Sequence, residues 1–316
     1  MTGRAWGAYT STSVAEFTPQ DVGEYRLIGW IAAGGMAEIF RAVPLAGGEP
    51  LALKRLLPRH REDPAFVERF VGEAKLCVKL RHPNIDRTHK LFKKGPDYFM
   101  VQELVDGLSC RALFDARRAL GAPLPLSATL ELLSGLLAAL DYVHRARLGE
   151  QAVTIVHRDV NPANLLLDRA GAVKLTDFGV AEASLHPEAR AEAGALCGTP
   201  AYMSPEQVLG KPLDPRSDLF SAGSLLYECL ANRPPFESAV EYELLSQVRE
   251  ARPAPIAWDA PGLEELQPLL SRALAPNAES RFATAAEFRR VLLDAADKLG
   301  HKPSAETLAE TVAAAL

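Results

Sequence analysis

The first hundred residues alternate between short apolar runs and turns of small or polar residues. Such runs, separated by glycine-containing turns, are typical of β-strands. The pattern predicts five antiparallel strands, in the ranges 25–31, 38–43, 51–54, 87–92 and 98–103. The turn at 32–37, between the first two strands, consists almost wholly of Ala and Gly, which would let the backbone approach a ligand closely.

Helical periodicity starts after the third strand. Asp63 is a candidate N-cap, Pro64 suits the first helical position, and Phe66, Phe70 and Ala74 follow at helical spacing. From residue 110 onwards we expect helices in the ranges 110–119, 127–147, 216–231, 241–250, 263–274 and 284–299. The chain is therefore predicted to have an α+β fold, with a small β lobe that carries one helix and a larger, mainly helical lobe.

The expected domain organisation is a single two-lobed domain with a segment at each end. Its parts are a flexible N-terminal arm (1–24), the domain (25–299) with its small lobe (25–103), hinge (104–107) and large lobe (108–299), and a C-terminal helical tail (300–316). In the tail, Ser304 is a candidate cap, and Leu308, Val312 and Leu316 lie on one helix face. We expect this face to pack on the chain's own large lobe, and a dimer surface is the alternative.

Composition excludes several classes of function. The 316 residues are 48% hydrophobic and 24% charged, with a formal net charge of −5, so a nucleic-acid partner is not expected. The four cysteines show no CxxC spacing, which favours reduced thiols and a cytoplasmic location. The N-terminus lacks the apolar core of a signal peptide. The most apolar region, 124–140, contains Glu131 and is too short to cross a membrane.

The clearest chemistry lies in the stretch 154–179. Asp159 and Asp177 are eighteen positions apart, and Asn164 between them is followed by two short apolar strands around a turn. Such a hairpin would return the chain to its start and bring the two carboxylates and the carboxamide together. These oxygen ligands suit Mg²⁺ and a phosphoryl group, so the stretch predicts a phosphoryl-transfer site.

The motifs of this stretch resemble those of the protein kinases. HRDVNPAN, which starts at His157, and DFG, which starts at Asp177, are similar to the catalytic loop and the metal-binding turn of that family. Over about residues 25–290 the pattern is completed by Lys54, Glu73, Gly198-Thr199-Pro200, Ser204-Pro205-Glu206, Asp218 and Arg281. GGMAEIF and GTPAYMSPEQ are similar to segments of bacterial eukaryotic-like serine/threonine protein kinases. The resemblance implies the bilobal protein-kinase-like fold and ATP-dependent phosphorylation of protein hydroxyls in bacterial signalling.

The resemblance also implies a role for each matching residue. Asp159 would be the catalytic base for a substrate serine or threonine, and the protein itself is a candidate substrate. Asn164 and Asp177 would bind Mg²⁺, for which Mn²⁺ is a candidate substitute. Lys54 would hold the ATP phosphates and Glu73 would be its ion-pair partner, although a solvated surface position is the alternative for Glu73.

The rest of the implied nucleotide site lies on the small lobe and the hinge. Gln102 would be the gatekeeper residue, and the backbone of Glu103 and Val105 would bind the adenine edge. The full set of expected ATP-binding residues is Ile31, Gly34, Ile39, Ala52, Lys54, Gln102, Glu103, Val105, Leu166 and Asp177. The residues implied to brace loops are His157, Asp218, Glu206 and Arg281.

Two departures from the family pattern concern the loops around ATP. In the glycine-rich loop only the middle glycine matches, at Gly34, because Ala32 and Ala37 hold the first and third positions. Reduced nucleotide affinity is compatible with this loop, but loss is not required. Asn161 stands where these kinases usually have a lysine, so we expect slower phosphoryl transfer. On this interpretation, Asn161→Lys leaves activity equal or higher.

A third departure concerns the activation segment. Between Asp177 and Cys197 the only hydroxyl side chain is Ser184. One hypothesis is that Glu188 or Glu192 takes the place of a phosphate opposite Arg158, and a solvated loop is the alternative.

An active serine/threonine protein kinase is the favoured function, because Lys54, Asp159, Asn164 and Asp177 are all present. The alternative is a pseudokinase that binds nucleotide and acts as a scaffold or regulatory partner. A small-molecule kinase is a third hypothesis, and the segment GTPAYMSPEQ argues against it. The substrate, the activating signal and the oligomeric state do not follow from the sequence.

Overall fold

The computed structural model describes residues 17–148, 151–179, 199–256 and 263–316. Residues 1–16 of the expected arm therefore lie outside the described residues. The hypotheses about Ser184, Glu188 and Glu192 also lie outside them.

The small lobe is built on one antiparallel sheet with the strand order β1-β2-β3-β4-β6-β5. Its strands are β1 (Gln20–Val22), β2 (Tyr25–Ala33), β3 (Ala37–Pro44), β4 (Leu51–Leu56), β5 (Thr88–Lys94) and β6 (Asp97–Glu103). There are six strands rather than the five expected, because Gln20–Val22, which we assigned to the arm, pairs with β2. Gly23 turns the chain between them with a positive φ of 61°.

Each face of this sheet buries its own apolar cluster. Leu53 and Val101 belong to the outer cluster, whereas Met100 and Phe70 belong to the cluster beneath helix α1 (Pro64–Cys77). The side chains of successive strand residues point to opposite faces, which is why neighbours such as Met100 and Val101 separate in this way. Helix α1 is therefore held against one face of the sheet.

The large lobe is mainly helical. Its helices are α2 (Cys110–Ala119), α3 (Leu126–His144), α4 (Pro205–Val208), α5 (Pro215–Ala231), α6 (Glu241–Glu250), α7 (Gln267–Ala273), α8 (Ala285–Lys298) and α9 (Ala305–Ala313). Short 3-10 helices lie at Pro58–His60, Pro162–Asn164, Pro200–Tyr202, Leu263–Leu266 and Ala278–Ser280. Helix α3 is central, since α5, α8 and α9 all pack against it.

Helix α3 is the one helix in the described part of the chain that is long and apolar enough to cross a membrane, so the expectation that this region is too short was wrong. Within the large lobe 72% of its apolar window is buried, so it is a core helix here. It ends at His144 rather than at residue 147, because Arg147–Leu148 (β8) pairs with Gln151–Ala152 (β9).

A small three-stranded sheet positions the predicted site. β10 (Leu165–Asp168) pairs with β11 (Val173–Leu175) to form the expected hairpin, and β7 (Gly107–Ser109) lies on the other side of β10. A Cβ added to Gly107 would lie 1.9 Å from the carbonyl oxygen of Leu167. Only glycine therefore fits where the chain enters the large lobe.

The tail helix α9 packs on the large lobe. The Ser304 hydroxyl caps it by accepting from the backbone N–H of Thr307 at 3.0 Å. Leu308 and Val312 are fully buried in the core of the lobe, whereas Leu316 is 40% exposed.

Candidate active site

Lys54 and Glu73 form a buried ion pair between strand β4 and helix α1. The Lys54 Nζ lies 2.6 Å from Oε1 of Glu73 and 3.4 Å from Oδ1 of Asp177. Burial opposes the charge on Lys54, but the carboxylates of Asp177 and Glu73 outweigh it and raise its pKa. Burial raises the pKa of Glu73 to about 7, and Lys54 opposes that shift. The pair explains how both groups are buried, since either alone would be costly.

The β10–β11 hairpin returns the chain to its start, as predicted. The backbone N–H of Thr176 donates to the Asn164 carbonyl at 3.0 Å, and the Thr176 carbonyl accepts from Nε2 of His157 at 3.1 Å. Asp177 follows with a positive φ of 66°, a conformation that turns its carboxylate towards Lys54 and that non-glycine residues rarely adopt. The ammonium of Lys54 lowers the pKa of Asp177.

The buried carboxylate of Asp218 anchors the catalytic loop. Its oxygens accept from the backbone N–H groups of His157 at 2.9 Å and Arg158 at 2.8 Å, and from Nε2 of His144 at 2.7 Å. Burial opposes ionisation, but the hydrogen bonds and the nearby histidines lower the pKa of Asp218. Arg158 has a positive φ of 68°, so this anchor holds the strained residue that precedes Asp159.

Donors from three of the described residues fix the carboxylate of Asp159. Asn161 Nδ2 donates to its Oδ1 at 2.8 Å, the backbone N–H of Thr199 to the same oxygen at 3.1 Å, and Asn164 Nδ2 to its Oδ2 at 3.0 Å. Burial and the charge of Asp177 raise the pKa of Asp159, against the effect of the hydrogen bonds from Asn161 and Thr199. The expected base, metal ligands and nucleotide-positioning lysine are thus brought together.

Asn161 does more than replace a lysine. Its side chain is buried, and its Oδ1 accepts from the backbone N–H of Ala163 at 2.8 Å. Asn161 therefore caps the short helix Pro162–Asn164 while its Nδ2 orients Asp159. This contact was not predicted from the sequence.

The donor set fits a divalent cation. Asn164 turns its Nδ2 towards Asp159, which leaves its Oδ1 without a hydrogen-bond partner in the described residues. The Asp177 side chain is 37% exposed and so remains accessible. Within the described ranges no cluster of three or more His, Cys, Asp or Glu side chains forms a metal site. One carboxylate and one carboxamide suit Mg²⁺ that takes its other ligands from phosphates and water.

The residues expected to line the nucleotide site belong to the small-lobe sheet, the hinge and strand β10. Four apolar members of the set are only half-buried, namely Ile31, Ala52, Val105 and Leu166, whereas Ile39 is 8% exposed. Gly34 lies in the turn between β2 and β3, where its N–H donates to the Ala37 carbonyl at 2.8 Å. Ala37 itself belongs to the cluster beneath α1, so its methyl group is taken up by the core of the lobe.

Two features near the hinge were not identified from the sequence. Glu103 accepts from Nζ of Lys174 at 2.9 Å and from the backbone N–H of Arg87 at 2.8 Å, which ties the hinge to both lobes. Behind it, buried Gln102 donates to buried Asp86 at 2.7 Å. The only local signal was the polar Gln102 directly after the apolar run 99–101.

The large lobe carries the expected Glu206–Arg281 pair. Arg281 Nη1 and Nη2 lie 2.7 and 2.9 Å from the two Glu206 carboxylate oxygens. Nearby, the Tyr202 hydroxyl donates to Glu228 and accepts from Arg111 at 2.6 Å. These contacts brace the segment that follows Thr199.

The two-lobed fold and the converging site define a protein kinase. A family model described as the protein kinase domain matches residues 25–291, and the chain belongs to this family. Its relatives include bacterial enzymes named serine/threonine-protein kinases. It is 39% identical over 279 residues to the probable serine/threonine-protein kinase SCO3848 of Streptomyces coelicolor, a match that covers 84% of this chain and 39% of that protein.

Two further relatives are similarly close. Tyrosine-protein kinase MasK of Myxococcus xanthus is 36% identical, with 86% of this chain and 43% of that protein covered. Serine/threonine-protein kinase PknB of Mycobacterium tuberculosis is 33% identical, with 87% and 44% covered. The chain thus spans about two fifths of the length of these relatives. The five-strand expectation aside, the predicted bilobal fold is confirmed.

Proposed function

We propose that this domain transfers the γ-phosphoryl group of ATP to serine or threonine hydroxyls of proteins, with itself among the candidate substrates. One observation carries the proposal. The carboxylates of Glu73 and Asp177 both lie within 3.4 Å of Lys54 Nζ, beside Asp159 and Asn164. These are the groups that phosphoryl transfer requires, and a nucleotide-binding scaffold would not need an oriented Asp159.

Each residue has a role in the proposed reaction. Lys54, held by Glu73, positions the ATP phosphates, and Asp159 orients the substrate hydroxyl and accepts its proton. Asn164 and Asp177 would hold Mg²⁺, or Mn²⁺ in its place. When bound, the cation would neutralise the charge that repels the incoming oxygen. Asn161 keeps the Asp159 carboxylate in place but supplies no positive charge, so we expect a reduced rate.

The proposed setting is signalling in the bacterial cytoplasm. Cys77, Cys110 and Cys229 are free and buried, which suits a reducing compartment. ATP and Mg²⁺ are abundant there. The names of the bacterial relatives support protein substrates, and one relative is named a tyrosine kinase, so the substrate hydroxyl needs a direct test.

The test is phosphate incorporation from radiolabelled ATP with Mg²⁺ into the protein itself and into a generic basic protein. We compare the wild type with Asp159→Asn, and use Asp294→Asn, which removes a 58%-exposed carboxylate on α8, as the matched control. Incorporation by the wild type and the control, on serine or threonine in phosphoamino acid analysis, supports the proposal. Equal incorporation by Asp159→Asn, or phosphotyrosine alone, would overturn it.

A further inference from the structure

A buried polar cluster lies behind the proposed nucleotide site. Gln102 Nε2 donates to Oδ2 of Asp86 at 2.7 Å, and the Thr176 hydroxyl donates to the same oxygen at 3.1 Å. Asp86 and Gln102 are each 6% exposed, and so is Thr176. We call Asp86, Gln102 and Thr176 the back cluster. None of its contacts is needed for the roles of Lys54 and Asp159 described above.

One buried oxygen of the back cluster is left unsatisfied. The other Asp86 oxygen, Oδ1, is buried and has no hydrogen-bond partner in the part of the chain that the structure describes. A buried oxygen without a hydrogen-bond partner destabilises the fold, so the presence of Asp86 at this position needs an explanation other than stability. Burial raises the pKa of Asp86 to about 7. In either protonation state Oδ2 accepts two hydrogen bonds, which leaves Oδ1 as the place for a proton.

The contact with Asp86 sets the orientation of the Gln102 amide. Oδ2 of Asp86 already accepts from a hydroxyl, so only the N–H side of the Gln102 amide can face it. The amide oxygen Oε1 must then project away from Asp86. Oε1 has no hydrogen-bond partner in the described residues. It is nevertheless not one of the fully buried side-chain atoms that lack a partner, so some of its surface is accessible. It therefore reaches the open side of the sheet.

The strand register identifies the face of the sheet on which the Gln102 side chain lies. Gln102 pairs with Ala52 and Met100 with Lys54 across β4 and β6. Residues directly opposite each other point to the same face, as do residues two apart, so Gln102 lies on the face of Lys54. Ala52 is small and half-buried, which leaves room beside the Gln102 amide for a flat ring.

We propose that Asp86 is a positioning residue, which holds the Gln102 amide so that Oε1 accepts a hydrogen bond from the exocyclic 6-amino group of adenine. This inference rests on the proposed function, since it assigns the base of the nucleotide to the space beside Ala52. Gln102 is then a specificity-determining residue that favours a base with a donor at this position. Thr176 supports it by donating to Asp86.

The experiment compares the binding of ATP and purine riboside 5′-triphosphate, which differ only by the 6-amino group. Calorimetry without a phosphoacceptor gives the ratio of the two Kd values for each variant. Any hinge contact of the amino group is common to all variants, so changes in the ratio report on Gln102. We expect Gln102→Leu and Asp86→Leu to reduce the preference for ATP about tenfold, the weight of one hydrogen bond.

Two further variants separate positioning from folding. Asp86→Asn keeps a carbonyl oxygen for Gln102 and Thr176, so it should retain the wild-type ratio. Thr88→Val, on β5 opposite Gln102, removes a buried hydroxyl outside the back cluster and should also leave the ratio unchanged. In turnover, Asp86→Leu should raise KM for ATP with little change in kcat.

The inference and the proposed function fail differently. A wild-type ratio in Asp86→Leu and Gln102→Leu, or equal loss in Asp86→Asn and Thr88→Val, overturns the inference alone. A wild type that binds ATP with the expected ratios but transfers no phosphate overturns the proposed function and leaves the inference standing. A wild type that binds neither nucleotide overturns both.

Discussion

Lys54 shows how one side chain connects the lobes at the residue scale. Its ammonium serves Glu73 from α1 and Asp177 from the large lobe, and it is 8% exposed. Glu73 has no other cation within ion-pair distance in the described residues, so removal of the Lys54 charge leaves Glu73 buried and unpaired. The same change removes the group proposed to hold the phosphates.

Lys54→Met is therefore expected to lower kcat/KM for ATP by about 10²–10³-fold, the usual effect of deleting a preorganised charge. Steady-state phosphorylation measures this. Lys90→Met is the control, since Lys90 is 43% exposed and its ion pair is with exposed Glu24. A similar loss in both variants would contradict the role of Lys54.

Asn161 gives a second prediction at this scale. Asn161→Ala removes the donor to Asp159 Oδ1 and should lower kcat on the order of tenfold, with KM for ATP little changed, because one hydrogen bond is lost. Asn161→Lys retains a donor and adds positive charge, so activity should equal or exceed that of the wild type.

The same lysine variant tests the capping role. It removes the acceptor for Ala163 N–H, so we expect a loss of about 1 kcal/mol in the free energy of unfolding, measured by denaturant titration. If Asn161→Lys is less active than Asn161→Ala, the missing positive charge at position 161 does not limit the rate of phosphoryl transfer.

At the scale of elements, the tail helix α9 is part of the large lobe. Its cap, Ser304, is local, but its stability comes from packing on α3, which buries Leu308 and Val312. Gly171 in the hairpin turn allows this approach, since a Cβ there would lie 2.1 Å from the Ala305 carbonyl oxygen. The tail thus contacts the turn of the hairpin that carries Asp177.

Leu308→Ala should destabilise the protein by about 2–5 kcal/mol, because it leaves a cavity under α9. Leu316→Ala, three residues beyond the end of α9 and 40% exposed, is the matched control and should change stability little. Thermal unfolding measures both. Equal effects would show that α9 does not contribute to the core.

At the scale of the whole molecule, the meeting of the lobes sets the protonation of the site. Asp159 and Asp177 come from the large lobe, and Lys54 reaches them from the small lobe. Lys54 lowers the pKa of Asp177, while burial and Asp177 raise the pKa of Asp159. The proposed base is thus easier to protonate than the proposed metal ligand.

Because Asp159 acts in its deprotonated form, activity should fall as pH drops through its raised pKa, above the range of an ordinary aspartate. Asp177→Asn removes the neighbouring charge and should lower the pKa of Asp159. Carboxyl NMR titration of both proteins without nucleotide measures the shift directly. An unchanged or higher pKa in the variant would contradict this origin of the shift.

The sequence by itself determined the α+β class, most helix and strand positions, and the convergence of Asp159, Asn164 and Asp177. Those features follow from local periodicity, caps and a hairpin, which depend on residues close in the chain. Only the tertiary structure decided the sixth strand, since Gln20–Val22 is too short to show a period and needs β2 as its partner. It also decided the Asp86–Thr176 contact, which joins residues 90 positions apart.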